Sequence, residues 1–484
     1  MKLSKLLVVL CLHISMITAC YNGVIHVKDL ETSNGNRPKL ANIKFRSIDT
    51  SIPKTKRVIL KNGIIVHLMP NNELPLLSVF AMIRTGSIWE PSGKEGLALL
   101  TGMTMRSGGT KSMTPSNLDE TLEFVAGSIE TSIGLEYGSA SLDVLSKDTE
   151  QGLRLLAEVL RHPRFDQSRF ELAKARMLDT IKRENDDPTK AAMRELNKVL
   201  YNGSPYGSIK TTESVSSITL EDVKAFHKDF FTPRTIMLGI TGEFNEAKII
   251  DKLESIFGDW KGTYPTYPKV NPVVNLNIQG GVYLAKKKLP QSVIRAGTLA
   301  GTRSDPDYFA VRVMDYILGG SGFTSRLVQK VRTDSGLAYS VWSYTFAGRW
   351  ELGRFIAGAE TKASNTAEVI DLIIEEMKRM RTIGATETEI KDAKESIVNQ
   401  FIFIFDKPLS LLKQRMIVDY YGMPDNYLES YREKIMAVTV NDVLVASKKR
   451  LKPDKLQIVV FGDPVVIGES LSKFGETAFI KLNH

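Results

Sequence analysis

Along the body of the chain, apolar positions recur with two periods. Residues 57–68 and 77–85 read as strands, the first turning at Asn62-Gly63. Ser116-Asn117-Leu118-Asp119 reads as the capped start of a helix that ends at Gly127. Two further strands are predicted over 128–133 and 137–145. Leu153, Leu156 and Leu160 then give one apolar helical face, and helices also fit 169–184, 190–200 and 220–229 before a closing strand over 235–241. Strands and helices in separate runs imply an α+β fold, with helices packed on a mostly antiparallel sheet.

This pattern occurs twice. Ile218 to Val223 aligns with Val438 to Val443 at an offset of 220, and the register holds without a gap through Lys228/Lys448 and Pro233/Pro453 to Gly242/Gly462. Going backwards, Ala173-Lys174 meets Ala393-Lys394, and Asp186, Pro188 and Tyr201 meet Asp406, Pro408 and Tyr421. A constant offset over so long a stretch marks an internal duplication. Two homologous units are expected, 57–265 and 275–484, joined by the Pro-rich stretch from Tyr264 to Pro272.

The first 56 residues lack that pattern. Lys2 and Lys5 precede an apolar run over 6–17, too short to span a membrane comfortably, which is the layout of an export signal over 1–19. Ile17-Thr18-Ala19-Cys20 resembles a bacterial lipobox, which implies lipidation of Cys20; the alternative is a plain cleaved signal. Acyl chains on Cys20 would anchor the chain stably. Residues 20–56, rich in Asn, Ser, Thr, Lys and Pro, read as a tether. Tyr21, rather than Asp, favours the outer membrane facing the periplasm by resemblance to sorted lipoproteins. The only two cysteines are Cys11 and Cys20, so no disulfide is expected in the exported protein.

Composition removes several classes. With 43% hydrophobic, 25% charged and 8% aromatic residues in 484, the chain is an ordinary globular protein rather than a coiled coil, a collagen or a disordered chain. Its 64 Lys and Arg against 55 Asp and Glu give +9 without a basic run, so no nucleic-acid partner is expected.

Thr85-Gly86-Ser87-Ile88-Trp89-Glu90, Gly96-Leu97-Ala98, Gly109-Thr110, the stretch 176–184 and a second-unit landmark from Ser325 to Val341 together resemble the pitrilysin/insulinase-type zinc metallopeptidases. The resemblance is to their two-domain bacterial and mitochondrial-processing-peptidase-like branch and covers nearly the whole body. In that family two histidines and a glutamate in an HxxEH sequence bind zinc and activate water. Aligned on Gly96-Leu97-Ala98, those positions are Leu99, Gly102 and Met103 here, and the third ligand position falls on Thr180, beside Asp179. Leu and Gly offer no donor atom, and a Met thioether is a soft ligand unsuited to hydrolytic zinc. No metal is therefore expected in this chain. His26, His67, His162, His227 and His484 do not pair within a helical turn and read as structural or surface residues.

The second unit keeps what the first has lost. In competent relatives an arginine and a tyrosine of the C-terminal unit contact the substrate carbonyl; the matching residues are Arg332 and Tyr339, whose donors suit a developing oxyanion. The plainer alternative has Arg332 capping a helix and Tyr339 filling a core. The resemblance implies a non-catalytic, substrate-positioning subunit of a heterodimeric peptidase, with zinc in an HxxEH-containing partner and extended peptides adding a strand near 77–86. A non-proteolytic peptide-binding or scaffold lipoprotein is the alternative, and an active metalloendopeptidase with unorthodox ligands a third. Gly319-Gly320-Ser321-Gly322 resembles the glycine stretch of the non-catalytic processing-peptidase subunit; no Gly-Lys-Ser/Thr follows it, which argues against a phosphate loop.

Overall fold

In a computed structural model that describes residues 52–270 and 279–482, the chain forms two six-stranded sheets. Cys20, the signal and most of the tether lie outside the described residues, as do His26 and His484. The first sheet comprises β1 (Lys56–Ile59), β2 (Ile65–Pro70), β3 (Leu76–Ile83), β4 (Ser128–Ile133), β5 (Gly138–Leu145) and β6 (Ile236–Gly242), in the order β1-β2-β6-β3-β5-β4. Only β2 and β6 run parallel. The second sheet comprises β7 (Gly281–Lys286), β8 (Gln291–Leu299), β9 (Ala338–Phe346), β10 (Arg354–Lys362), β11 (Gln457–Gly462) and β12 (Thr477–Ile480), ordered β12-β7-β11-β8-β10-β9. Its other four pairings repeat the first sheet, but β12, from the far end of the chain, takes the place of β1 and runs parallel to β7. The mostly antiparallel α+β architecture is thus present twice.

The 220-residue offset reappears in three dimensions. The Leu220–Phe230 and Val440–Arg450 helices each begin with a capping box, Thr219 with Asp222 and Thr439 with Asp442. Lys174 and Lys394 donate equivalent bonds, at 2.7 and 2.9 Å, to the carbonyls of Ile218 and Val438.

One pair of equivalent helices changes places. The Pro188–Leu200 helix of the first half lays Ala191, Ala192, Leu196 and Leu200 against Val293, Val459 and Phe461 of the second sheet. Reciprocally, Leu411, Leu412 and Met416 of the Pro408–Tyr420 helix join the cluster holding Met69, Met82 and Met237 of the first sheet. Each sheet therefore carries its own helices on one face and a helix of the other half on the second. Covering both faces explains why β6 and β11 are apolar and buried at nearly every position, on both sides of the strand. Tyr201 and Tyr421, which end the exchanged helices, complete the reciprocity: Tyr201 donates to the Leu352 carbonyl (3.0 Å) and Tyr421 to Glu136 (2.7 Å). Trp89 and Trp350 add an aromatic contact across the halves, 5.8 Å between ring centres.

The predicted elements lie where the periodicity puts them, with two corrections. The helix predicted from Ser116 spans Pro115–Phe124 and is capped by Thr114; Pro115 occupies the first turn, where a missing N–H costs nothing. The expected strand addition near 77–86 is also excluded. There β3 is interior, hydrogen-bonded to β5 on one side and β6 on the other, so it has no free edge for a peptide.

Candidate functional site

Gly96 starts the Leu97–Ser107 helix in a left-handed conformation (φ 109°) and brings no capping side chain. Glu90 supplies the cap from outside the helix, accepting from the N–H of Gly96 (3.2 Å) and of Ala98 (2.7 Å). Burial pushes the Glu90 carboxyl up to about 7 against the pull of those two N–H groups. Thr101 and Thr104 turn their hydroxyls back onto carbonyls of their own helix, so its polar side chains are spent locally.

The three aligned motif positions are filled by packing. Leu99 and Met103 are half-buried against the core of the first half. Gly102 faces the backbone of β4: a Cβ built there would stand 2.5 Å from the Ile133 nitrogen and 2.9 Å from the Ser132 carbonyl carbon. The Thr131 hydroxyl closes the same seam with a 2.7 Å bond to the Gly102 carbonyl. No side chain fits at 102 without moving the strand. Thr180 is exposed on the Gln167–Lys182 helix and bonds the Arg176 carbonyl (2.9 Å), while Asp179 pairs with Arg183 at 3.4 Å. A zinc ion does not fit these residues, and among the described residues no three His, Cys, Asp or Glu side chains cluster to hold one.

The histidines have other duties. His67, buried on β2, bonds Asp419 of the exchanged helix at 2.9 Å. Two donors, His67 and Arg57, hold the Asp419 carboxyl at about 2 although burial opposes it. His227 is buried, donates to the Leu160 carbonyl (3.0 Å) and is pushed down to about 4 by burial, so it is neutral at pH 7. His162 sits exposed at the end of the Thr149–Arg161 helix.

The first sheet ends in β1 on one side and β4 on the other; β4 pairs only with β5 and lies along the Leu97–Ser107 helix. The corresponding free edge of the second sheet is β9, and Tyr339 stands on it.

Arg332 and Tyr339 do come together. The Arg332 guanidinium carbon lies 5.3 Å from the Tyr339 ring centre and 4.9 Å from that of Phe323. Tyr339 is 78% exposed, so it fills no core, and Phe323 is 69% exposed. Among the described residues the Arg332 side chain makes no ion pair, and the rings cover its faces while its in-plane donors stay open. Phe323 escaped the sequence reading; its one signal is an aromatic residue directly after the glycine run. That run is ordered rather than loose: Gly319 ends a helix so close to β9 that a Cβ would collide with the Ser343 nitrogen.

Comparison with known proteins agrees with this picture. Residues 70–212 match the insulinase (peptidase family M16) domain, and residues 217–397 match the peptidase M16 inactive domain. A Bacillus subtilis protein described as an uncharacterized zinc protease, YmxG, is 25% identical over 71% of this chain and 82% of its own. A Helicobacter pylori protein described as a non-peptidase homolog, also YmxG, is 24% identical over 77% of this chain and 86% of its own. Among solved structures, a peptidase M16 inactive domain from Pseudomonas fluorescens superposes with a TM-score of 0.77 at 25% identity, covering 85% of this chain and 98% of that one. A Helicobacter pylori protease superposes with a TM-score of 0.75 at 18% identity, over 85% and 100%.

Proposed function

Because this chain belongs to the insulinase (M16) peptidase family yet carries no zinc-binding side chain where HxxEH would stand, we propose that it is a non-catalytic, substrate-positioning subunit of a heterodimeric zinc metallopeptidase. The observation that carries the reading is the exposed Phe323–Arg332–Tyr339 stack. Between its two exposed rings the half-buried Arg332 keeps hydrogen-bond donors that no ion pair among the described residues uses. An HxxEH-containing partner supplies zinc and base. Arg332 and Tyr339 donate to the peptide carbonyl oxygen as charge develops on it. The peptide lies extended along a free edge, for which β4 and β9 qualify and β3 does not. A lipid on Cys20 would hold the pair at the envelope membrane, probed by metabolic acyl labelling of the wild type and its absence in Cys20→Ala.

The test is zinc content and peptide hydrolysis by the purified chain, alone and mixed with an HxxEH-containing relative from the same organism. Activity is expected only in the mixture, reduced about tenfold or more, 1.4 kcal/mol of barrier, by Arg332→Ala or Tyr339→Phe. Wild-type rates in both variants, or stoichiometric zinc in this chain alone, would overturn the proposal. Peptide binding without hydrolysis in the mixture would instead point to a peptide-binding scaffold.

A further inference from the structure

Between the two halves, at the tips of their edge hairpins, lies a cavity of about 530 Å³. Its walls are the β4–β5 turn on one side, the β9–β10 turn on the other, and Tyr201, Tyr206 and Tyr308 between them. Four arginines reach it: Arg303, Arg312, Arg349 and Arg354. Their surroundings are unusual for arginines withdrawn from bulk water, because three of them rest on rings rather than on carboxylates. Arg312 lies 4.9 Å from the Tyr344 ring centre, Arg349 4.5 Å from that of Tyr421, and Arg354 4.9 Å from that of Phe346. A ring satisfies the face of a guanidinium and leaves its five in-plane N–H donors to be matched elsewhere.

Few of those donors are matched. Arg312 donates to the Tyr344 hydroxyl (2.6 Å) and Arg349 to that of Tyr421 (3.0 Å), while Tyr431 and Tyr201 take a further contact each from Arg312 and Arg354. Among the described residues the Arg354 Nε is buried without a hydrogen-bond partner. Arg303 makes no side-chain hydrogen bond or ion pair among the described residues, and its neighbours Asp305 and Asp307 are engaged by Arg450. Three carboxylates stand near the four cations. Glu136 accepts from Tyr206 and Tyr421 on its two oxygens and approaches Arg349 only to 3.9 Å. Asp315, behind Arg312, is occupied by the N–H and hydroxyl of Thr345. Glu351 is the third, on the wall. The balance is one net positive charge and a large excess of directed donors, in a space sized for a small organic molecule.

We propose that this cavity binds a small organic polyanion, bearing two or more carboxylate or phosphate groups, between the halves of the body. The arginine forks would grip the acidic groups in their own plane, and the tyrosine rings would flank the remainder of the molecule. Because the walls belong to both halves, the bound ligand would also join the β4–β5 turn to the β9–β10 turn. The site is separate from the Arg332–Tyr339 stack and stands whether or not the chain serves a peptidase.

Isothermal titration of the full chain with citrate and with pyrophosphate tests this, carboxylate and phosphate being read separately. One saturable site per chain, weakened by added salt, is expected for at least one of the two, and which one binds identifies the acid group. Arg303→Ala and Arg349→Ala should each weaken it about tenfold or more. Arg154→Ala, on an exposed helix face, should leave it unchanged. Thermal melting of each variant without ligand separates lost binding from lost folding, and Arg303→Lys, which keeps the charge but not the fork, should fall between the two. No saturable binding of either probe at about 1 mM, a weak affinity for any built site, would overturn the proposal, as would equal affinity in the wild type and both arginine variants.

Discussion

Each half brings its first helix against the edge strand of its own sheet through a glycine, Gly102 on β4 and Gly319 on β9, yet the two seams have opposite surroundings. In the first, Glu90 caps the helix, Thr131 bonds the Gly102 carbonyl, and Leu99 and Met103 turn into the core. These polar groups hold the helix in place. In the second, the chain leaving the seam carries Phe323 and Tyr339 out into solvent, with the half-buried Arg332 between them. An exposed aromatic stack around an unpaired arginine contributes little to stability and asks for a ligand or partner instead. The first seam is thus given over to packing, while the second presents side chains that packing does not require.

The largest effect expected from this contrast is a pH dependence confined to the first seam. The folded state holds the Glu90 carboxyl at about 7, above its usual 4.5, so between those values it binds more protons than the unfolded chain. Its contribution is complete below about 4.5 and is lost as pH rises through about 7, a swing of about 3 kcal/mol. Glu90→Gln retains an oxygen for the two N–H groups but cannot titrate. Urea unfolding at a series of pH values should show wild type gaining on the variant as pH falls; parallel profiles would mean that Glu90 is not held this way. A smaller effect is expected at Gly102. Gly102→Ala forces a methyl against the β4 backbone and should cost about 1–3 kcal/mol. Gly134→Ala should be close to neutral, since its nearest neighbour is the Tyr137 carbonyl at an ordinary 3.5 Å. Equal stability of the two variants would show that the seam yields.

How much of this the sequence carried depends on the kind of contact. The duplication was legible because capping boxes and buried lysine contacts recur at one spacing, and each is specified by a few neighbouring residues. The helix exchange was not. Ala191, Ala192, Leu196 and Leu200 make the same apolar stripe whichever sheet they cover, so periodicity cannot say which half receives them. The edge at β4 is legible in the sequence: β3 (LLSVFAMI) is apolar on both faces, as an interior strand should be, whereas β4 (SIETSI) alternates apolar and polar residues. Loss of the zinc ligands could be seen in the residue types. That position 102 has no room for a side chain could not, because the obstruction is the backbone of β4, thirty residues away in sequence and invisible to composition. The inter-half cavity belongs to the same class, since its arginines converge from separate segments of the second half onto a turn of the first.

The smallest expected effect is also the one that separates the two seams most directly. Arg332→Ala and Tyr339→Ala should each change the unfolding free energy by no more than about 0.5 kcal/mol, the range of surface positions outside the core. Val331, one residue away and fully buried, provides the contrast, and Val331→Ala should cost several times more because it leaves a cavity in the second-half core. If the Arg332 and Tyr339 variants proved as costly as Val331→Ala, the stack would be a structural brace, and the division between a packed first seam and a functional second one would fail. Stability unchanged in both, together with reduced activity in the mixed peptidase assay, would leave recognition as the reason the stack is exposed.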